Sequence, residues 1–347
     1  MGEQEKKIKC LVWDLDNTFW AGTLLESDDL EIRDGVSLTI TELDKRGILH
    51  SIASKNESGV ALARLKDFGF VDYFLYPQVS WGTKSASIKA ISVSLNIGLD
   101  TIAFVDDQAF ELDEVKHVYP EVRCFLASEI PQLINNPAFM PDSITSDSRN
   151  RRMMYLTDQK RKEDEERFDG PSTAFLETLK MRFQLSIATE SDLLRAEELT
   201  QRTHQLNTTG ITYSYGELDT IRKDPSHHLI VARLSDRYGD YGIIGLALVS
   251  CETDSWTLKL LLMSCRVMSK GVGGTFLTFL RRAARQNKVE LRADWTPTER
   301  NRMMYVTFRF AGFKECSSSH GENNLVNDAS EPPPYPHYMN VIEPEEL

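Results

Sequence analysis

Cysteine is scarce. Five thiols in 347 residues, odd in number and nowhere spaced as CxxC, exclude a disulfide framework and a thiolate zinc site. Long apolar runs are missing as well: nothing approaches the ~18 uninterrupted apolar residues that a membrane-spanning helix needs, and the opening MGEQEKKIKC has no hydrophobic stretch behind its charges. Lys6 stands where a myristoylation signal would have Ser or Thr. Positive charge is in deficit, with 40 Lys and Arg against 52 Asp and Glu for a formal net charge of -12. That field opposes the phosphate backbone on which nonspecific nucleic-acid affinity depends. Reduced thiols, no nucleic acid, no membrane and a cytoplasmic location are therefore the expectation.

What is present is ordinary globular material, 41% hydrophobic and 27% charged. At ~150 residues per domain the length suggests two domains. From Lys9 to about Ala127 short β-rich runs alternate with amphipathic stretches. The expected strands are Cys10 to Trp13, Leu49 to Ala53 and Ile102 to Val105. Helical stripes lie between them: Val36, Ile40 and Leu43, stopped at Gly47; Ala61, Leu62, Leu65 and Phe68, stopped at Gly69; Ile88, Ile91 and Leu95, stopped at Gly98. Such alternation predicts an α/β fold, a doubly wound parallel sheet with ligands beyond the carboxyl ends of its strands.

Residues 141–174 are charge-dense and bracketed by Pro, Ser and Gly, which predicts a linker carrying a solvated helix between domains at 1–140 and 175–347. Beyond it, strands are expected near Phe183 to Ile187, Leu229 to Leu234, Ile243 to Ser250 and Trp256 to Ser264. A glycine loop, a helix from about Gly274 to Arg285, a strand at Val289 to Ala293 and a helix around Met303 to Phe310 follow. Consecutive strands and then a glycine loop with a helix predict an α+β domain. The tail from Ser317 to Pro334 reads as loop, with Tyr338 to Ile342 returning as a closing strand.

The first strand runs into Asp14-Leu15-Asp16-Asn17-Thr18, so two carboxylates stand at its carboxyl end. One of them can attack phosphorus while the other gives a proton to the leaving group. Ser54 follows the second strand, Lys84 begins the third helix and Asp106-Asp107 closes the third strand, and this fold brings all four sets to one rim. Crowded carboxylates repel unless a divalent cation joins them, and oxygen ligands favour Mg²⁺. Asp14, Asp16, Asp106 and Asp107 are its expected surroundings. In the second domain Ser264-Cys265-Arg266-Val267 leads to Met268-Ser269-Lys270-Gly271-Val272-Gly273-Gly274, where Lys270, Gly271 and Gly273 are the expected anion cradle at a helix N-terminus. On residue type alone Cys265 is more readily a packing thiol than a nucleophile. His204 is its candidate partner and His337 a weaker one, while His227-His228 reads as an exposed turn.

The ordered set DLDNT, Ser54, Lys84 and VDD resembles the haloacid-dehalogenase (HAD) phosphatase superfamily over roughly the first 130 residues. The resemblance implies Asp14 as the nucleophile, Asp16 as general acid and base, Ser54 holding a phosphoryl oxygen and Lys84 stabilising the phosphoryl intermediate. The later glycine loop, with PTERNRMMYVTFRFAGF, is similar to a GNAT-type acyltransferase domain. Met268 stands there where the pyrophosphate loop usually opens with Gln or Arg. Across nearly the whole chain, WDLDNTFWAG, SKNE, FVDD, RTHQLN, MSCRVMSKGVG and PTERN resemble the FkbH-like glyceryl transferase/phosphatase family of polyketide biosynthesis. Gln108-Ala109 replaces that family's Asn-Pro, and His204 its Asn. Membership implies that Cys265 takes the acyl group of 1,3-bisphosphoglycerate, that the HAD domain removes the remaining phosphate, and that glyceryl passes to the phosphopantetheine thiol of an acyl carrier protein. Two other readings stand beside it: a Mg²⁺-dependent HAD phosphatase fused to a CoA-dependent N-acyltransferase, and a HAD phosphatase with a noncatalytic carrier-protein docking module.

Overall fold

The computed structural model describes residues 6–26, 29–141, 144–203, 205–298, 300–316, 324–345 and 347. The chain forms two compact units, Met1–Leu156 and Thr157–Leu347. Among the described residues no helix is long and apolar enough to cross a membrane.

The elements of the first unit run β1 (Cys10–Trp13), β2 (Trp20–Ala21), β3 (Glu31–Ile32), α1 (Val36–Lys45), β4 (Leu49–Ser54), α2 (Ser58–Asp67), β5 (Gln78–Val79), α3 (Lys84–Leu95), β6 (Ile102–Asp106), α4 (Ala109–Val118) and β7 (Arg123–Leu126). Short helices α5 (Ile130–Leu133) and α6 (Ser146–Arg149) follow. The main sheet is ordered β5-β4-β1-β6-β7 with every pairing parallel. Side chains alternate across it. Leu11, Trp13, Ile52, Ala103 and Val105 enter one core with the stripes of α1 and α2, and Cys10, Val12, Leu49, Ala53 and Phe104 enter another with Ile88, Ile91 and Val115 of α3 and α4. The chain leaves β1 toward β4 on one side and later fills β6 on the other, so β1 lies at the switch in winding direction, where ligands collect.

The predicted helix stops hold at Gly47 and Gly69, both left-handed at φ 71° and 77°. A Cβ on Gly47 would stand 2.6 Å from the Ser148 carbonyl oxygen, so only glycine fits. Gly98 is not a stop. Asn96 takes the left-handed position after α3 instead, at φ 52°, while Gly98 has φ -71°.

Helix α7 (Arg151–Glu166) lies in the charged stretch, and the division between the units falls within it. In the first unit its Arg152 stacks on Tyr73 at 4.3 Å and pairs with Asp44. The second unit continues with α8 (Ser172–Thr178), β8 (Met181–Ile187), α9 (Leu193–Arg202), α10 (Tyr215–Lys223), β9 (His227–Asp236), β10 (Gly239–Cys251), β11 (Ser255–Met263), α11 (Val272–Gln286), β12 (Glu290–Asp294), α12 (Arg302–Phe310), β13 (Phe313–Cys316), β14 (Asn324–Asn327) and β15 (Met339–Ile342). Its mixed sheet runs β13-β14-β12-β11-β10-β9-β8-β15. Strands β8 to β11 form an antiparallel meander, and α11 crosses over so that β12 pairs with β11 in parallel. The fold class read from the sequence, α/β followed by α+β, is the one observed. The expected closing strand forms as β15 beside β8. The tail is not all loop: β14 sits between β12 and β13, satisfying backbone groups that would otherwise line an open edge.

Helix α7 is also less solvated than its charge suggests. Arg161 is buried, with Nε and Nη2 donating to the two oxygens of Asp236 at 2.6 and 3.0 Å, its guanidinium 4.0 Å from the Tyr241 ring centre and a further ion pair to Asp158. A planar bidentate fork explains why arginine tolerates this place.

Candidate active site

Parallel pairing sets the site. Trp13 is level with Ile52 on β4 and Val105 on β6, so the next residues, Asp14, Ala53 and Asp106, emerge together at the carboxyl edge. The Asp14 N–H donates to the Val105 carbonyl at 3.0 Å, extending the β1–β6 ladder by one bond. Lys84, the first residue of α3, reaches into this edge. Its Nζ donates to Asp14 Oδ1 and, at 2.8 Å, to the Ala53 carbonyl, and lies 3.0 Å from Asp106 Oδ2. All three charged residues are buried. Thr83 caps α3 by accepting from the Ala86 N–H, which fixes where Lys84 enters the site.

The electrostatics are those of an acidic site short of positive charge. Burial raises the Asp14 carboxyl above its ordinary range; Lys84 opposes this, and Asp106 adds to it. Burial works to lower the Lys84 ammonium, but Asp14 and Asp106 outweigh it and the net displacement is upward. Asp107 is also raised, first by burial and then by Asp106.

One oxygen each from Asp14, Asp106 and Asp107 lies within 4.8 Å of the others, and Asp107 Oδ1 is buried without a hydrogen-bond partner among the described residues. Three converging carboxylates with an unsatisfied buried oxygen fit a hard divalent cation. Asp16 stands outside that trio. Its Oδ1 accepts from Trp20 Nε1 at 2.8 Å and the Leu24 N–H at 3.0 Å, and its Oδ2 accepts from Asn56 Nδ2 at 3.0 Å. Ser54 is buried at the end of β4, its carbonyl accepting from the Ser80 N–H. Next to it, Lys55 pairs with Glu111 of α4 at 2.6 Å.

Trp20 and Asn56 were no part of the expected site. Both sit inside the motifs WDLDNTFWAG and SKNE, but a tryptophan among apolar neighbours reads as core and an asparagine after a strand reads as turn. Only the folded loops show their polar groups aimed at Asp16.

In the second unit the Cys265–Val267 turn follows β11, and Cys265 is half-buried. His204 lies outside the described residues. His337 is exposed and 2.6 Å from Glu177, His227 pairs with Asp224, and His228 stands edge-on to Trp256. Gly271 is left-handed at φ 74° as the N-cap of α11. A Cβ there would come within 2.5 Å of the Tyr338 hydroxyl, so conformation and contact together call for glycine at 271, whereas a Cβ on Gly273 would meet only the movable tip of Met263, its methyl at 2.8 Å. Lys270 is held 5.7 Å from the centre of the Tyr241 ring. Burial lowers its ammonium, with Asp158 opposing.

No family model matches the chain, and no curated protein matches it. Solved structures do. The N-terminal, phosphatase-domain part of a Bacteroides fragilis protein, complexed with Mg, is 26% identical with a TM-score of 0.31, covering 44% of this chain and 39% of that one. The ribosomal-protein-S18-alanine N-acetyltransferase of Escherichia coli is 16% identical with a TM-score of 0.32, covering 42% and 90%. The aminoglycoside acetyltransferase AAC(6')-Ib, in complex with paromomycin and acetyl-CoA, is 19% identical with a TM-score of 0.34, covering 42% and 93%.

Proposed function

We propose that the protein is a bifunctional glyceryl transferase and phosphatase of the FkbH-like kind, joining a HAD-type phosphatase to a GNAT-like acyl-transfer unit. The observation that carries the phosphatase half is the convergence of Asp14, Lys84, Asp106 and Asp107, drawn from two strand ends and one helix start. Asp14 attacks the phosphorus of a phosphate monoester, its P–O bond forming as the ester P–O bond breaks, and Asp16 protonates the departing alkoxide. Asp16 then takes a proton from the water that cleaves the aspartyl phosphate, returning both carboxyl groups to their starting state. Lys84 stays charged throughout and neutralises the transferring phosphoryl group, with Ser54 at the same edge to receive one of its oxygens. Asp14, Asp106 and Asp107 would hold Mg²⁺, which supplies charge neutralisation and orientation when bound.

The transfer half rests on the sequence resemblance and on Cys265 standing at the turn between β11 and α11. The thiolate of Cys265 attacks the acyl carbon of 1,3-bisphosphoglycerate and phosphate leaves, giving a phosphoglyceryl thioester. After the phosphatase removes the remaining phosphate, the thiol of a phosphopantetheine-bearing acyl carrier protein displaces Cys265. One thioester replaces another, so orientation is the main requirement.

Intact-protein mass spectrometry after mixing enzyme, 1,3-bisphosphoglycerate and holo carrier protein tests this. Glyceryl mass is expected on the carrier, phosphoglyceryl mass is expected to persist with Asp14→Asn, and no adduct is expected on the Cys265→Ala enzyme. An adduct surviving Cys265→Ala removes Cys265. Turnover of acetyl-CoA instead would establish a CoA-dependent N-acyltransferase, and carrier binding without any adduct a docking module.

A further inference from the structure

The proposed chemistry asks Asp16 to exchange a proton, yet a carboxylate on a loop has two oxygens and free rotation unless something holds it. Here three donors do so. Oδ1 accepts from Trp20 Nε1 at 2.8 Å and from the Leu24 N–H at 3.0 Å, which occupies both of its lone pairs. Oδ2 accepts from Asn56 Nδ2 at 3.0 Å, and among the described residues that is its one hydrogen bond, leaving one lone pair open. The holders are themselves anchored. Trp20 is fully buried, edge-on to Phe19 at 5.7 Å and tilted against Phe68 at 6.3 Å, and Asn56 is buried just beyond β4.

We infer that Trp20 and Asn56 are positioning residues that make Asp16 Oδ2 the proton-exchanging atom of the phosphatase step. Resting on the phosphatase reading, the inference adds which oxygen works and what aims it. With Oδ1 saturated, a proton on Asp16 resides on Oδ2, in the position that Asn56 leaves open. Without Asn56, Oδ2 has two open positions and the carboxyl group a second way to turn. Without the indole N–H, Oδ1 regains a lone pair and competes for the proton.

Leaving groups of different basicity separate this role from a structural one. Departure of p-nitrophenolate needs no proton, whereas the alkoxide of glycerol 2-phosphate does. The test compares Asn56→Ala and Trp20→Phe with wild type on p-nitrophenyl phosphate and glycerol 2-phosphate, by steady-state kinetics and rapid quench. General acid catalysis is worth about 10²- to 10⁴-fold, so losing its aim should lower kcat on glycerol 2-phosphate by roughly ten- to a hundredfold with KM within about twofold. The nitrophenol burst should keep its rate, and acid-stable phosphoenzyme should accumulate behind it because hydrolysis of the intermediate uses the same Asp16. Trp20→Phe keeps the ring packing and carries the test if Asn56→Ala does not fold. Equal losses on both substrates in the rapid-quench rate of phosphoenzyme formation, or wild-type rates of both formation and hydrolysis in folded variants, overturn the inference while leaving the phosphatase reading intact. Wild-type enzyme inert on both esters, or Asp14→Asn retaining full activity, overturns the reading and the inference with it.

Discussion

Lys84 and Asp14, seventy residues apart in the chain, share a hydrogen bond at the centre of the first unit's buried acidic edge. Their pairing joins the start of α3 to the end of β1. Because Lys84 also lies 3.0 Å from Asp106, one ammonium serves two carboxylates that would otherwise repel each other.

Removing that ammonium should therefore damage both catalysis and stability. For Lys84→Met we expect phosphatase kcat to fall by about 10²-fold or more and unfolding free energy to fall by about 3–5 kcal/mol, the usual cost of stranding a buried charge. Steady-state kinetics and urea denaturation measure the two. Wild-type values in both would show that the pair carries neither role.

Asp107 offers to the same edge a buried oxygen that has no partner among the described residues. We expect Asp107→Asn to raise the Mg²⁺ concentration for half-maximal activity by at least about tenfold, as loss of a carboxylate near a metal does, and chelation to abolish wild-type turnover reversibly. Magnesium titration of the two proteins is the check. Full activity in excess chelator would remove the cation from the site.

Acid should weaken the first unit through His50. Trp13 Nε1 donates to its Nδ1 at 3.0 Å, and its Nε2 faces the Ile40 carbonyl at 3.2 Å, so the neutral ring carries its proton on Nε2. Burial depresses the imidazole to about 3 from its ordinary 6.5. Between those values the unfolded chain binds the extra proton, so stability is fully present above pH 6.5 and falls as the pH drops toward 3. The slope attributable to this ring approaches a tenfold loss in the folding equilibrium per pH unit, about 1.4 kcal/mol. Chemical denaturation of wild type and His50→Asn at a series of pH values should show the two curves converging as the solution is acidified. Parallel curves would mean the ring is not the cause.

In the second unit Asp236 is matched to Arg161, with side-chain exposures of 0% and 5%. Arg161→Met leaves that buried carboxylate without its cation, although the Tyr241 hydroxyl and the Tyr238 and Gly239 N–H groups still donate to it, and we expect a loss of about 3 kcal/mol. Replacing both residues by apolar ones of similar size should cost less than the single change. Calorimetry of the single and double variants decides between them, and a double variant weaker than the single one would contradict the argument.

How far the sequence reaches differs from residue to residue. Asp14, Lys84 and Asp106 were legible because apolar runs mark the strands, and parallel winding gathers the carboxyl ends of those strands on one rim. The core helices were legible from their 3.6-residue stripes, as with Val36, Ile40 and Leu43. Helix α10 went unread, although Ser214 and Glu217 form a capping box there with mutual hydrogen bonds. Its local signal was present, but its apolar stripe was short. At the end of α3 the glycine rule pointed to Gly98, whereas Asn96 tolerates the left-handed conformation and took the place.

Residue order and periodicity alone determined the two-part α/β and α+β architecture, the acidic rim and the lysine that faces it, because burial of apolar stripes needs no knowledge of distant partners. Tertiary structure decided the rest. It buried Arg161 against Asp236, slipped β14 between two other strands, and turned an indole and an amide onto Asp16. Hydrogen bonds and ion pairs depend on a few tenths of an ångström and on angle, and those quantities exist only once loops remote in sequence have been set side by side.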